Sequence, residues 1–211
     1  MLSFIKKIFK REKEPFVSNE DIAMKKFLIV GLGNIGKEYE NTRHNIGFRI
    51  LDYLAEKESL QFETAKLGDR SLYKVKGRTL VLLKPSTYMN LSGKAVKYWM
   101  DKEKIPLENV LIITDDINIP FGTIRLKTKG SDGGHNGLKD IQAQLNTTQY
   151  NRFRFGVGAE FTKGRQIDYV LGVWNEEENK ALPERLGKAC ELIRSFATAG
   201  ITNTMNTFNG K

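Results

Sequence analysis

Residues 27–44 read FLIVGLGNIGKEYENTRH. Phe27-Leu28-Ile29-Val30 is a short apolar run of the kind that forms a strand buried on both faces. It breaks into Gly31-Leu32-Gly33-Asn34-Ile35-Gly36, a glycine-rich turn carrying one amide side chain. A polar run follows and ends on His44, one of the two histidines in the chain. Apolar residues return at helical spacing only after it, at Ile46, Ile50, Leu51 and Leu54. The stretch predicts a strand that delivers its C-terminal end into a polar loop, with a helix opening just beyond His44. Open α/β sheets build their sites at such points.

Gly31, Gly33 and Gly36 also fit G-x-G-x-x-G, and Asp52 lies about where a dinucleotide fold wants its acid. The context opposes that reading. A pyrophosphate site needs a helix to start inside the glycine run, yet Lys37-Glu38-Tyr39-Glu40-Asn41 carries no apolar stripe. Asp52 falls in the middle of the helix after His44 instead of at the end of a second strand. A nucleotide-dependent oxidoreductase would also show cofactor absorbance on purification.

Further strands are predicted at Ser71–Val75 and Thr79–Lys84, turned by Gly77-Arg78, and at Val110–Thr114, Ile124–Thr128 and Arg152–Gly158. Helices are predicted at Ser92–Met100, burying Ala95, Val96 and Trp99, and at Leu138–Leu145. A long helix opens on the capping box at Asn175-Glu176-Glu177-Glu178, with Leu182, Leu186, Ala189, Cys190, Ile193 and Phe196 on its buried face. Strands alternating with helices give an α/β domain whose mostly parallel or mixed sheet is covered on both sides. No linker divides it.

The 211 residues carry a net charge of +9. Residues 1–26 hold seven Lys and Arg against four Asp and Glu, so most of the excess belongs to the folded part. Residues 1–23 are expected to form a disordered extension ahead of a domain over 24–211. A single cysteine, Cys190, excludes an intrachain disulfide and a zinc cluster, and suits a reducing cytoplasm. No apolar run approaches a membrane span.

Asn34, His44, Asn90, Asp115, His135 and Asn136 recur at strand ends or in glycine loops. With the strands pointing one way, they converge on one edge of the sheet. An imidazole beside a carboxylate is a general-base pair, and amides can hold a carbonyl or donate to an oxyanion. With no serine elbow, the base would activate water directly. Taken singly each has a plainer reading, a loop histidine as a cap and the asparagines as turn residues. The set is what suggests chemistry. Arg125, Lys127 and Lys129 are two apart and share a strand face, as do Arg152 and Arg154. If those strands lie side by side, five cations would rim the second glycine loop, KGSDGGHNG at 129–137, as a phosphate-binding surface.

Four stretches together resemble the bacterial peptidyl-tRNA hydrolase family: VGLGN-x-G-x-x-Y-x-x-TRHN-x-G over Val30–Gly47, KPSTYMNLSGKAV over Lys84–Val96, DD-x-N-x-P-x-G over Asp115–Gly122, and GGHNGLKDI over Gly133–Ile141. The resemblance runs from about Met24 to the C-terminus. It implies cleavage of the ester between a peptide and the terminal ribose of tRNA, without metal or cofactor, recycling tRNA in the cytoplasm. It implies a single α/β domain with a mixed twisted sheet, a monomer with no stable protein partner. The general base would be His44, with Asp115 as its orienting carboxylate. Asn34, Asn90 and Asn136 would hold the peptide main chain, the water or the ribose. Tyr39 and Met89 would line the cleft, and Arg125, Lys127 and Arg154 would face tRNA phosphates. Ile35 stands where the family usually has proline, and Asn118 where it often has an acid. The rival from another class is a catalytically silent RNA-binding relative on the same fold. Whether 201–211 closes over the cleft is open at this level.

Overall fold

The computed structural model describes residues 25–210; the predicted extension over 1–23 lies outside them. Among the described residues seven strands form one sheet. In chain order they are β1 (Lys26–Gly31), β2 (Glu63–Ala65), β3 (Gly68–Val75), β4 (Arg78–Pro85), β5 (Val110–Asp116), β6 (Ile124–Lys127) and β7 (Asn151–Gly156). Across the sheet the order is β2-β3-β4-β1-β5-β7-β6. The central strands β4, β1, β5 and β7 run parallel, while β2, β3 and β6 pair antiparallel at the margins. The helices are α1 (Ile46–Lys57), α2 (Ser92–Glu103), α3 (Asn136–Leu145), α4 (Gln166–Val170), α5 (Glu176–Ala199) and α6 (Ile201–Phe208).

The apolar run of β1 has a double destination. Phe27 and Ile29 enter one core with α1, α5 and α6; Leu28 and Val30 enter the other with α2 and α3. The same alternation divides Leu111 and Ile113 from Val110 and Ile112 on β5. A strand covered on both faces has no polar position to spare, which is why these segments read as unbroken apolar runs.

At β6 and β7 the two-sided cover ends. Ile124, Leu126, Phe153 and Phe155 fill the core on the α5 side, while Arg125, Lys127, Arg152 and Arg154 occupy the opposite face. Antiparallel pairing sets Arg125 opposite Arg154 and Lys127 opposite Arg152. Arg125, Lys127 and Arg154 thus share one face of the sheet, a shelf beyond the part that α2 and α3 cover, while Lys129 lies past the end of β6.

Two local expectations change, and the segment left open finds its place. The β3–β4 hairpin turns at Lys76-Gly77, not Gly77-Arg78. Both residues have positive φ, 45° and 73°, as a two-residue turn matched to strand twist requires, and Arg78 already pairs with Val75. The helix after the second glycine loop begins at Asn136, because His135 supplies its cap. The segment after α5 forms α6, which packs beside Ile124 and Leu126, on the face away from Lys127. There the Asn209 side chain accepts from Leu126 N and donates to Leu126 O, occupying the outer edge of β6. The capping box at Asn175 forms as expected.

Candidate active site

The parallel strands point their C-terminal ends to one side, and a crevice of about 730 Å³ opens there. Close contact of β1 with α1 brings His44 to it. Gly31 and Gly47 touch so tightly that a β-carbon on Gly31 would stand 2.2 Å from the Gly47 carbonyl oxygen. A β-carbon on Gly33 would meet the Phe48 ring at 2.7 Å. These glycines let a helix lie against a strand end. Asp52, the acid of the dinucleotide pattern, pairs with Lys84 at 2.6 Å.

Between β1 and α1 the turn Arg43–Asn45 is short and held from both ends. Asn45 accepts from Asn34 N and donates to Asn34 O, clamping the glycine loop. Arg43 is buried and donates to Val173 O at 2.7 Å and to Glu178 Oε2 at 2.7 Å. Its guanidinium lies over the Tyr169 ring, 4.4 Å from the centroid. Arg43 thus ties the His44 turn to α4 and to the start of α5. Neither Arg43 nor Asn45 stands out in the sequence as a site residue.

His44 Nδ1 lies 2.9 Å from Asp115 Oδ1. Burial disfavours the charged imidazole, but the adjacent carboxylate outweighs it, so the His44 pKa is raised above its ordinary value of 6.5. Asp115 is itself buried, which opposes its ionisation. The adjacent imidazoles of His44 and His135, with the hydrogen bonds they share with it, overcome this and hold the carboxyl well below the usual range. With Nδ1 engaged, Nε2 is the nitrogen left for a ligand.

Asn34 lines the crevice, and its Oδ1 accepts from Met89 N at 2.9 Å. Its Nδ2 donor remains for a ligand. Met89, Asn90 and Asn136 line the same space, Met89 buried and both asparagines exposed. Lys127 and Arg154 are also at its wall, with Arg154 paired to Asp116. Three expected residues fare differently. Tyr39, in the short turn Lys37–Tyr39, is not among the residues lining the crevice. Arg125 sits on the shelf outside it. Arg152, counted among five rim cations, is buried and spends its Nη groups on the carbonyls of Gly130, Ser131 and Thr148. It braces the glycine loop.

His44 Nδ1, Asp115 Oδ1 and His135 Nε2 lie within 4.8 Å of one another, gathered around one carboxylate oxygen. Each atom already has a hydrogen-bond partner within the trio.

The model of the peptidyl-tRNA hydrolase family matches residues 28–211. The chain belongs to that family. A peptidyl-tRNA hydrolase of Phocaeicola vulgatus is 60% identical over 186 residues, covering 88% of this chain and 100% of that one. One from Bacillus licheniformis is 40% identical over 185 residues, 87% of this chain and 98% of the other. The crystal structure of the Acinetobacter baumannii peptidyl-tRNA hydrolase superposes with a TM-score of 0.82 at 34% identity, covering 88% of this chain and 95% of that one. The family likeness read from four motifs thus extends across the whole described fold.

Proposed function

We propose that this crevice hydrolyses the ester joining a peptide to the terminal ribose of tRNA, with His44 as the general base. The overall reaction is that of the family, an esterase reaction that returns free tRNA to translation. The observation that carries the assignment of His44 is its pairing through Nδ1 with buried Asp115, which leaves Nε2 directed to substrate chemistry.

Neutral His44 takes a proton from water as the water oxygen bonds to the ester carbonyl carbon. Asp115 stabilises the imidazolium that forms. As the carbon–oxygen bond to ribose breaks, the same proton passes from His44 to the departing ribose oxygen. Asn34 Nδ2 is suited to donate to the carbonyl as it becomes an oxyanion, a contribution of about 10²–10³ in rate. Asn90 and Asn136 offer amides to the peptide main chain or the ribose. Contacts of that kind ignore side chains and would admit many peptide sequences. Lys127 and Arg154 at the crevice, with Arg125 beyond, form the surface for tRNA phosphates. The enzyme is read as a cytoplasmic monomer whose working partner is its tRNA substrate.

Single-turnover cleavage of N-acetylated aminoacyl-tRNA by His44→Ala tests this. Turnover should fall about 10²–10⁴-fold with binding little changed. Turnover near the unmodified rate would remove His44 from the reaction. A lack of turnover in the unmodified protein, with tRNA still bound, would favour a silent RNA-binding role.

A further inference from the structure

Ester hydrolysis by His44 and Asp115 leaves His135 without a task, yet its two ring nitrogens are fully committed. His135 caps α3: its Nδ1 accepts from Gly137 N at 3.1 Å and from Leu138 N at 3.3 Å. Gly137 has no room for a side chain, since a β-carbon there would meet Met89 Sδ at 2.7 Å and His135 Cε1 at 3.1 Å, so the cap is packed in place. A ring nitrogen that accepts two N–H groups carries no proton, and the tautomer follows: the proton is on Nε2. Nε2 lies 3.0 Å from Asp115 Oδ1 and donates to it. That is the same oxygen that faces His44 Nδ1 at 2.9 Å. One carboxylate oxygen therefore serves two imidazoles, whose ring centroids are 4.8 Å apart.

We propose that His135 is a positioning residue that lowers the proton affinity of His44 by sharing Asp115 Oδ1. The cause is competition for one acceptor. A carboxylate oxygen already stabilised by a fixed N–H donor is a weaker partner for the imidazolium of His44 than a carboxylate devoted to it alone. His135 is suited to this because its backbone cap makes it a donor only. Moving a proton onto its Nδ1 would set a donor against two N–H groups. The result is that more of His44 is in the neutral, water-activating form near neutral pH, while Asp115 still orients it. The other charged groups around the crevice are Asp116 paired with Arg154, Asp132 and Lys129 in the His135 loop, Lys127 on the shelf, and buried Arg152 bonded to loop carbonyls. None of these bonds to either imidazole. The inference rests on the reading of His44 as the base, but it can be measured without turnover.

The chain has two histidines, so His135→Asn leaves His44 as the sole imidazole, and its Cε1–H resonance can be followed by NMR through a pH titration. Asparagine retains a strong helix cap but is too short to reach Asp115. Compared with the unmodified chain, the His44 midpoint should rise by about half a pH unit or more. The acid limb of kcat/KM should move up with it. In an Asp115→Asn background, His135→Asn should leave the midpoint where it was. An unchanged or lower midpoint with Asp115 present overturns the proposal, as does an equal rise with Asp115 replaced. If thermal melting shows that His135→Asn is not folded, His135→Ser, another capping residue, is titrated in its place and judged by the same outcomes. A shifted midpoint alongside activity that ignores His44→Ala would leave this inference standing and sink the general-base reading instead.

Discussion

Gly31 and Gly47 meet backbone against backbone, the end of β1 on the first turn of α1. A β-carbon on Gly47 would stand 2.4 Å from Leu32 N and 2.5 Å from Leu32 O. Those atoms are backbone and cannot move aside as a flexible side chain would. Gly47→Ala should therefore push α1 off the strand, at a cost of about 1–3 kcal/mol or more. Because His44 lies three residues before Gly47, kcat should fall as well. Thermal melting and steady-state kinetics on the same preparation check both effects.

The His44–Asp115 pair predicts a pH profile with a definite sign. As the proposed base His44 must be neutral to act, and its pKa is raised above 6.5, so kcat/KM should rise with pH to a midpoint above that value. In Asp115→Asn the carboxylate that raises the pKa is gone and burial acts alone. The midpoint should drop below 6.5, while kcat falls about 10²-fold or more because the tautomer is no longer fixed. The linkage to stability runs in matching directions. For His44, whose pKa is raised on folding, the pair stabilises below the unfolded value and that gain is lost as pH rises through the folded one. For Asp115, whose pKa is depressed, the gain is present above the unfolded value and is lost as pH falls towards the folded one. Denaturant titrations of the native protein and Asp115→Asn across pH measure this.

Lys127 and Arg152 lie opposite each other on β6 and β7 but should fail differently when replaced. Lys127 is exposed at the crevice wall. Lys127→Ala should raise KM and shallow the salt dependence of tRNA binding by about 0.7–0.9 for each phosphate it no longer neutralises. Arg152 braces three loop carbonyls from a buried position, so Arg152→Ala should lower the melting temperature and disorder the loop before His135. Binding isotherms at several salt concentrations, with melting curves, separate the two.

Arg43 and Glu178 form a buried pair that links the His44 turn to α5. Glu178 Oε2 also accepts from Asn175 N, closing the capping box. Glu178→Gln leaves the guanidinium buried without its counter-charge, and breaking a buried pair from one side costs about 3–5 kcal/mol. Arg43→Lys should be destabilising too, since a lysine cannot reach Glu178 and Val173 O together from one planar fork. Equilibrium unfolding of the two single variants provides the measurement.

Much of this is legible in the chain because the deciding signals are local. Apolar runs bounded by glycine mark the central strands, and His44 and Asp115 fall at strand ends that parallel order must bring together. The residues that escape notice have partners far away in sequence. Arg43 meets Glu178 across a separation of 135 residues, and no local pattern records such a pairing. Arg152 and Arg154 look alike as alternate residues of one strand. They part company only because loop carbonyls surround the first, while Asp116 meets the second. Tyr39 is placed in the cleft by its position in a motif, yet a motif fixes spacing along the chain and not which side chains reach the crevice wall. The hairpin slips by one residue because Lys76 adopts a positive φ that glycine would have advertised and lysine conceals.

Among the described residues β6 is the last strand of the sheet, and such a strand normally presents free amides and carbonyls to any passing chain. Asn209 occupies that vacancy with its own amide, mimicking one rung of an eighth strand at Leu126. Asn209 thereby serves as a stopper against sheet-to-sheet growth. A chain ending before Asn209 would offer a sticky border to its neighbours, most acutely at the concentrations reached during overexpression.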